Sequence, residues 1–319
     1  MSGVPVVVTD HSFGDVERER SVAERFGRPL TVHACSTVAE TRDAVAGADV
    51  VLVNFAPMTA EVLRVLAPGA VVIRYGVGYD NIDVAAAGDL GVRVCNVPDY
   101  GADTVADHAV ACLLALLRRT GEYTAAIRDR AWLDPADLGP VRDFSRTTVG
   151  LVGTGRIGRA VARRLAPFGF RVIAHDPFVD AERLAEEGIE AVDLRTLLTG
   201  AHAVSLHAPL TPDNRHLIDA TALGHMRDDA VLINTSRGGL VDESALADAL
   251  LEGRLAGAAL DVFDPEPLAS DSRLRRASNV ILTPHAAFYS ESSLDNLQRL
   301  AAEEAARALA GRPLRCRVV

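Results

Sequence analysis

Short apolar runs alternate with amphipathic stretches along the whole chain of 319 residues. Runs of four or five apolar residues are typical of buried strands, and periodic apolar positions between them are typical of helices. This alternation predicts βαβ units and parallel sheets. In the N-terminal third the predicted strands are residues 5–9, 30–33, 50–53, 70–73 and 92–95.

A second series of the same kind follows, so the fold class is α/β with two doubly wound parallel-sheet domains. A chain of this length is also longer than a single hydrophobic core usually supports, which suggests two domains. The first strand of this series precedes a predicted helix at 156–168. The predicted strands are residues 148–152, 171–175, 203–206, 230–234, 257–260 and 280–282.

Three segments lie outside the two series. A long helix at 102–119 is apolar almost without interruption over 109–117, so we expect it to be buried between domains or in a dimer contact. Residues 128–146 are polar and irregular, which predicts a loop. A last helix at 292–309 can pack back on the first series, which gives one domain of residues 1–99 with 289–319 and another of 100–288.

The charge and the apolar pattern exclude several function classes. A net charge of −10 argues against nucleic acid as a partner, since that needs a basic surface. No apolar run approaches the roughly 18–20 residues of a membrane span. The N-terminus enters a strand-like run without a basic leader, so we expect a cytoplasmic protein.

Lysine is absent from the sequence, so a Schiff-base or lysine nucleophile mechanism is excluded. The four cysteines, Cys35, Cys95, Cys112 and Cys316, are too far apart along the chain for a metal template or a disulfide framework. Cys95 and Cys112 lie in apolar segments, and we expect them to be buried. No metal site is predicted.

A glycine-rich turn follows the first strand of the second series and opens its helix. The turn reads Gly153, Thr154, Gly155, Arg156, Ile157, Gly158. In a dinucleotide fold the first glycine allows a tight turn, the second lets the backbone approach the pyrophosphate, and the third permits close packing of helix on strand. The helix N-terminus then faces the phosphates, and Arg156 adds a positive charge.

Asp176 ends the next strand, 18 residues after Gly158. A carboxylate at this place accepts hydrogen bonds from the adenosine ribose and repels a 2′-phosphate, which favours NAD over NADP. The alternative is a glycine-rich turn in an unrelated α/β protein, with Asp176 as an ordinary loop acid. The order and spacing of the four parts, namely strand, glycine turn, helix and acid, favour a Rossmann NAD site.

Three polar segments follow later strands of the same series, at 233–239, 260–267 and 282–287. They carry Arg237, Glu266 and His285, and ligands bind at the carboxyl ends of such strands. Taken singly, each residue fits a solvated loop, an exposed turn or a helix cap. Their joint occurrence behind a dinucleotide fold predicts that they converge on the nicotinamide.

Longer motifs make the chain similar to the D-isomer-specific 2-hydroxyacid dehydrogenase family. The motifs are Arg74-Tyr-Gly-Val-Gly-Tyr-Asp-Asn-Ile-Asp83, Cys95-Asn-Val-Pro98, Val105-Ala-Asp-His108 and His207-Ala-Pro-Leu-Thr-Pro-Asp-Asn214. The resemblance covers nearly the whole chain. Through Gly88–Pro98 and Thr283–Glu291 it is closest to the branch of the C-terminal-binding proteins, and it implies a Rossmann NAD-binding domain and a flavodoxin-like substrate domain.

The resemblance implies a role for each of the three polar residues. His285 is the acid–base that exchanges a proton with the C2 oxygen, and imidazole suits this role because it titrates near neutral pH. Glu266 orients the ring and stabilises its protonated form. Arg237 binds the substrate carboxylate and polarises the C2 carbonyl.

Further site residues also rest on the resemblance. The backbone of Gly76, Val77 and Gly78 would bind the substrate carboxylate, with Asn54 and Arg74 facing the substrate. Asp261 would contact the nicotinamide carboxamide. The remaining cofactor-lining residues would be Ala208, Pro209, Thr235 and Ser236.

Three departures narrow the family resemblance. Formate dehydrogenases of this fold carry glutamine where this chain has Glu266. We also expect no regulatory domain of the kind that long phosphoglycerate dehydrogenases carry after the region that matches residue 319. In the C-terminal-binding proteins a tryptophan faces the substrate where this chain has Phe288. Their preferred substrate is therefore not expected here.

The sequence thus predicts an NAD-dependent D-2-hydroxyacid dehydrogenase, a 2-oxoacid reductase, acting on a small anionic acid as a homodimer. One alternative is the same machinery on a phosphonate- or phosphate-bearing 2-oxoacid, or on phosphite, with Arg74 as a second anion site. Another is an NAD(H)-sensing regulatory protein similar to the corepressors, since those keep the same three polar residues.

Overall fold

The computed structural model describes residues 4–129 and 132–319. The chain divides into two compact units, Met1–Gly101 with Tyr289–Val319, and Ala102–Phe288. Each unit is built on one parallel sheet with helices packed on it. Within the described residues, no helix is both long and apolar enough to cross a membrane.

The first unit contains a five-stranded parallel sheet in the order β2-β1-β3-β4-β5. This is the flavodoxin-like order, as predicted. The apolar runs supply its buried centre, because both faces of a parallel sheet are covered. The strands are β1 (Val6–Val8), β2 (Leu30–Val32), β3 (Val50–Val53), β4 (Val71–Arg74) and β5 (Arg93–Cys95).

Four helices connect these strands: α1 (Glu17–Arg25), α2 (Val38–Val45), α3 (Ala60–Leu63) and α4 (Val84–Asp89). The start of α2 is set by a capping box, in which Thr37 Oγ1 accepts from the Glu40 N–H and the Glu40 carboxylate accepts from the Thr37 N–H. Such reciprocal bonds satisfy amides that have no partner inside the helix.

The second unit contains a seven-stranded parallel sheet in the order β12-β11-β10-β9-β6-β7-β8. The order turns back on itself between β6 and β9, which is the Rossmann arrangement and its ligand-binding switch point. Two exposed residues form β8, so no apolar run predicted it. The strands are β6 (Thr148–Val152), β7 (Arg171–His175), β8 (Glu190–Ala191), β9 (Ala203–Leu206), β10 (Val231–Asn234), β11 (Gly257–Leu260) and β12 (Val280–Leu282).

The long apolar helix is α5 (Ala102–Leu117), and it packs inside its own unit. Its buried side chains, among them Ala109 and Leu113, belong to a cluster with residues of the helix at Arg156–Leu165 and of the sheet. Asp103 and Asp107 lie on its exposed face and bind Arg164. Packing on its own sheet therefore accounts for the apolar face, and a dimer contact stays a prediction.

The predicted loop at 128–146 is partly wrong. A helix, α6 (Thr120–Asp129), reaches into it, and 3₁₀ turns occupy Pro135–Leu138 and Phe144–Arg146. None of the residues of α6 is buried, so no apolar stripe marked it. Residues 130 and 131 of this prediction lie outside the described residues. The helices that follow are α7 (Arg156–Leu165), α8 (Ala181–Glu186), α9 (Leu194–Gly200), α10 (Ala220–His225) and α11 (Glu243–Leu251).

The last helix, α12 (Glu291–Leu309), belongs to the first unit. Leu297, Leu300 and Ala301 pack in one cluster with α1 and the sheet. The C-terminal residues then cover the edge of β5, where the Val318 N–H donates to the Val94 carbonyl at 2.8 Å. This pairing protects an edge strand that would otherwise be open.

Candidate active site

The glycine turn lies between β6 and α7, at the switch point of the second sheet. Gly153 has φ +90°, which favours glycine, and a Cβ there would come within 2.8 Å of the His207 and Ala208 backbone. A Cβ on Gly158 would lie 2.3 Å from the Gly153 carbonyl oxygen. A Cβ on Gly155 would meet nothing within 4 Å. Gly153 and Gly158 therefore allow close packing of the backbone. Gly155 leaves open space before the N-terminus of α7.

This arrangement fits a dinucleotide. The open side of Gly155 is where the fold lets a backbone approach the pyrophosphate, and α7 contributes its N-terminal dipole. Arg156 is the first residue of α7 and supplies a cation there.

Asp176 is bound to the glycine turn by its carboxylate. Its Oδ2 accepts from the Thr154 N–H at 2.7 Å and from Thr154 Oγ1 at 2.8 Å, and its Oδ1 accepts from the Phe178 N–H at 3.0 Å. Burial raises the pKa of Asp176, but these hydrogen bonds outweigh it and the pKa lies below its usual range. The residue is therefore an anion at neutral pH, with acceptor capacity left on Oδ1.

Two polar atoms at the carboxyl ends of β9 and β10 are buried without a hydrogen-bond partner in the described part of the chain. They are His207 Nδ1, after β9, and Thr235 Oγ1, after β10. Burial lowers the pKa of His207 to about 4, so its ring is neutral. The Ser236 hydroxyl donates to the Leu206 carbonyl at 2.7 Å and ties the two strand ends together. Thr235 and Ser236, together with Ala208 and Pro209, are the residues predicted to line the cofactor, and their contacts with it stay predictions; His207 was not among them.

Glu266 and His285 meet at the carboxyl ends of β11 and β12. His285 Nδ1 lies 2.8 Å from Glu266 Oε2, and the Phe263 N–H donates to Glu266 Oε1 at 3.1 Å. Partial burial raises the pKa of Glu266, but its bond to His285, the Phe263 amide and the charge of Arg237 together lower it. The charged carboxylate fixes Nδ1 as the donor and so sets the orientation of the ring.

Arg237 reaches the same region because of Gly238. A Cβ on Gly238 would lie 2.1 Å from the Phe263 carbonyl carbon, so only glycine lets the loop after β10 pass this close to the loop after β11. The Arg237 Nη1 donates to the Ser236 carbonyl at 2.7 Å, and Asn234 Nδ2 donates to the Arg237 carbonyl at 2.8 Å. The three polar residues thus share one end of the second sheet.

Asp261 holds the loop that carries His285. Its Oδ1 accepts from the Thr283 hydroxyl at 2.6 Å and from the Ala286 N–H at 2.8 Å, and its Oδ2 accepts from the Ala287 N–H at 2.9 Å. The His285 N–H donates to the Asp261 carbonyl at 2.7 Å. His285 has φ +52°, a strained value for a residue with a side chain, and these bonds maintain it.

Asp261 was predicted to contact the nicotinamide carboxamide, and that contact stays a prediction. The carboxylate is 2% exposed and already accepts three hydrogen bonds. Sequence reasoning gave no role to His108, whose Nε2 lies 3.2 Å from Thr283 Oγ1. His108 belongs to a motif that supports only the family resemblance. Its contact with Thr283 depends on how α5 packs on the sheet, which the sequence does not show.

The predicted substrate residues of the first unit follow β3 and β4. Asn54 is 5% exposed, and its Nδ2 donates to Ser12 Oγ at 3.1 Å. Arg74 lies with its guanidinium carbon 5.7 Å from the centre of the Phe55 ring, and it donates to the Tyr75 carbonyl. Gly76 has φ +128° and leaves the space that Arg74 Nη1 occupies. Their substrate contacts stay predictions.

Phe288 lies beside His285 in the second unit. The two ring centroids are 6.3 Å apart and the rings are nearly perpendicular. An apolar wall therefore stands next to the imidazole. No group of three or more metal-ligating side chains occurs among residues 4–129 and 132–319.

The second unit matches a family model described as "D-isomer specific 2-hydroxyacid dehydrogenase, NAD binding domain" over residues 110–287. That range contains the glycine turn, Asp176, Arg237, Glu266 and His285. The match confirms the predicted NAD-binding domain.

Among curated proteins, the chain is 42% identical over 269 residues to D-3-phosphoglycerate dehydrogenase of Mycobacterium bovis. The match covers 84% of this chain and 50% of the relative. The chain thus spans about half the length of the curated relatives it matches.

Among solved structures, the TT0316 protein from Thermus thermophilus is 36% identical with a TM-score of 0.87, over 99% of this chain and 100% of that one. D-lactate dehydrogenase of Aquifex aeolicus, complexed with NAD and lactic acid, is 28% identical with a TM-score of 0.87, over 96% of each chain. None of these is a C-terminal-binding protein, so that closer placement stays a prediction.

Within the glycine turn, Gly158 is required for packing and Gly155 for cofactor binding, and substitutions can test the two roles apart. We expect Gly158→Ala to destabilise the cofactor-free protein by about 1–3 kcal/mol, because its Cβ meets a backbone oxygen. We expect Gly155→Ala to change stability by less than about 0.5 kcal/mol but to weaken NADH binding about tenfold. Thermal unfolding measures the stability of each variant, and NADH titration measures its affinity for the cofactor. Equal loss of stability in the two variants would contradict the geometry.

Asp176 is expected to set the choice between NAD and NADP. Asp176→Ala should weaken NADH binding about tenfold and lessen the rejection of NADPH, because the ribose acceptor and its negative charge are lost. The control is Asp180→Ala, an acid on the same segment that makes no capping hydrogen bond. An unchanged ratio of NADH to NADPH affinity in the Asp176 variant would refute the assignment.

Asp261→Asn is expected to lower kcat about 10- to 100-fold with little change in NADH affinity, because charge-assisted bonds that hold His285 are lost. Asp264→Asn, on an exposed carboxylate of the same loop that pairs with Arg215, is the control. If NADH affinity falls instead and kcat is retained, the carboxamide contact is the dominant role of Asp261.

Proposed function

Because the chain belongs to the D-isomer-specific 2-hydroxyacid dehydrogenase family, we propose that it transfers a hydride between NAD(H) and C2 of a small 2-hydroxy or 2-oxo acid. The observation that carries this proposal is the contact of 2.8 Å between His285 Nδ1 and Glu266 Oε2, with Arg237 on the neighbouring loop. A carboxylate, an imidazole and a guanidinium at one sheet end are the groups this reaction needs.

The NAD site is formed by the glycine turn, Asp176 and the ends of β9 and β10. When bound there, the nicotinamide would supply the hydride acceptor for the oxidation and the hydride donor for the reduction. The turn would hold the pyrophosphate by its backbone N–H groups, and Asp176 would accept from the ribose. The neutral His207 and Thr235 would border the nicotinamide half.

His285 exchanges the proton that balances the hydride. In the reduction, C2 gains the hydride and its oxygen gains a proton from Nε2, since Nδ1 is bonded to Glu266. The ring is left neutral and regains its proton from solvent. Glu266 stabilises the protonated ring by its charge and fixes the direction of Nε2.

Arg237 binds and polarises the acid. Its planar guanidinium presents several donors to a carboxylate and to the adjacent C2 oxygen, where negative charge grows during reduction. Glu266 carries the opposite charge nearby and balances Arg237 when no substrate is bound. The contacts expected between the substrate carboxylate and the backbone of Gly76, Val77 and Gly78 stay a prediction.

A cytoplasmic location and a homodimer remain predictions, as does the absence of nucleic-acid binding. A corepressor-like role has no observation in its favour among the described residues. The direct experiment is a panel of 2-oxoacids, including pyruvate, hydroxypyruvate, phenylpyruvate and phosphonopyruvate, with NADH oxidation as the readout. Turnover of none of them would overturn the proposal.

The Glu266–His285 pair gives a pH prediction. The pKa of Glu266 is lowered, so the carboxylate keeps its charge as pH falls until that lowered pKa is reached. Glu266→Gln removes the charge that stabilises the protonated ring. We therefore expect the pH above which kcat/KM for reduction declines to move down by about 1–2 units. His285→Ala should lower kcat by about 10²- to 10⁴-fold.

These two variants are compared with His225→Ala, a histidine in the last turn of α10. The control should keep the parent pH profile. An unshifted profile in Glu266→Gln, or turnover in His285→Ala within a few-fold of the parent protein, would remove His285 from the acid–base role.

A further inference from the structure

A chain of hydrogen bonds links α5 to the loop that carries His285. His108 belongs to α5, and its Nε2 lies 3.2 Å from Thr283 Oγ1. The Thr283 hydroxyl donates to Asp261 Oδ1 at 2.6 Å, and the same oxygen accepts from the Ala286 N–H at 2.8 Å. All of these residues belong to the second unit. The last bond of the chain therefore ends on the residue that follows His285.

The direction of each bond follows from the hydrogen atoms that are available. A carboxylate has no hydrogen to donate, so the Thr283 hydroxyl gives its single hydrogen to Asp261. Toward His108 the hydroxyl oxygen then acts as an acceptor, which requires a hydrogen on Nε2 of that ring. This N–H is present in the protonated imidazole and in one neutral tautomer, so the bond forms in both charge states of His108.

A second residue of α5 shows that this side of the helix faces Asp261. Cys112 follows His108 by four residues and so lies on the same side of the helix. Burial raises the pKa of the Cys112 thiol to about 11, and the charge of Asp261 contributes to this rise. The thiol is therefore neutral at neutral pH. His108 Nε2 lies 4.0 Å from Asp261 Oδ1, so a protonated ring would place a positive charge beside this buried carboxylate.

Thr283 connects this chain to the backbone of His285. The Thr283 N–H donates to the Leu260 carbonyl at 3.0 Å, and the His285 N–H lies 3.1 Å from the Thr283 carbonyl oxygen. Hydrogen bonds in a chain polarise and strengthen one another. The bond from His108 therefore strengthens the bond from Thr283 to Asp261, and it limits rotation of the hydroxyl between them.

We propose that His108 is a positioning residue for the reaction, and that it acts through the Thr283 hydroxyl on the loop that carries His285. The inference rests on the proposed function, which makes His285 the acid–base. A small change in the direction of the ring lowers the rate of proton transfer. Affinity for the cofactor depends mainly on the glycine turn and Asp176, so His108 affects kcat and not NADH binding.

Two substitutions of His108 separate loss of the donor from loss of the ring. In His108→Gln the side-chain amide nitrogen can occupy the position of Nε2 and keep a donor, whereas His108→Leu removes it. We expect His108→Leu to lower kcat for 2-oxoacid reduction about tenfold with NADH affinity within about twofold, and His108→Gln to keep kcat within about threefold. Steady-state kinetics and NADH titration of the full chain measure these quantities. Equal kcat values in the two variants would contradict a role for the donor.

A double-mutant cycle tests whether His108 acts through Thr283. Thr283→Val removes the hydroxyl and keeps the branched shape of the side chain. We expect Thr283→Val to lower kcat about tenfold, and the addition of His108→Leu to lower it by less than about twofold more, because the bond between the two side chains is already lost. Independent losses that multiply to about 100-fold would overturn the proposed route.

His202→Leu is the matched control, because His202 precedes β9 at the opposite end of the same sheet. Its Nδ1 accepts from the Thr148 N–H at 3.1 Å, so this histidine also supports the fold by a hydrogen bond. The substitution should lower the midpoint of thermal unfolding and leave kcat within about twofold. An equal fall of kcat in His202→Leu and His108→Leu would mean that His108 serves stability alone, and would overturn the proposal.

NMR spectra of the cofactor-free chain with isotope-labelled histidine test the inference without turnover. The signal to follow is the Nδ1–H of His285, which donates to Glu266. We expect it to shift or broaden in His108→Leu and to keep its position in His108→Gln. An unchanged signal in His108→Leu would overturn the inference alone. A shifted signal in a protein that reduces no 2-oxoacid would remove the proposed function and would still support the role of His108 in placing the ring.

Discussion

The buried carboxylate of Asp261 holds in place the backbone that carries His285. A buried anion is costly unless it is fully hydrogen-bonded, and here one hydroxyl and two backbone amides satisfy it. The same bonds keep His285 at φ +52°, a conformation that few side chains adopt without support. With the backbone held, the imidazole meets Glu266 at a defined nitrogen, and every step assigned to the ring depends on that geometry.

The second constraint is that backbone segments of the second unit pass very close to one another, and only glycine fits at these places. Gly158 lets α7 pack against the turn after β6, while Gly238 lets the loop that carries Arg237 pass beside the loop that carries Glu266. A Cβ on Gly155 would meet no neighbour, so this position leaves room for a ligand. A glycine motif therefore combines positions required for packing with one required for binding, and only the structure separates them.

The two sheets present different chemistry at their carboxyl ends. The second combines an anion at Asp176, a neutral buried His207 and the Arg237, Glu266 and His285 set, which suits a charged cofactor and proton transfer. The first uses Asp10 and Asn81 to fix its turns and exposes Phe55.

The sequence by itself determined the fold class, the family and the Rossmann turn, because period, strand ends and glycine spacing are local properties of a chain. It also pointed to Glu266 and His285, since both follow predicted strands that end at one edge. It missed α6, which buries none of its residues. The tertiary structure alone decided that Asp261 binds the His285 loop, that His108 lies beside Thr283, and that the Asn54 amide turns to Ser12 while Phe55 faces outward. Those facts depend on contacts between residues far apart in sequence, and no local pattern encodes which of several polar groups reaches a given backbone amide.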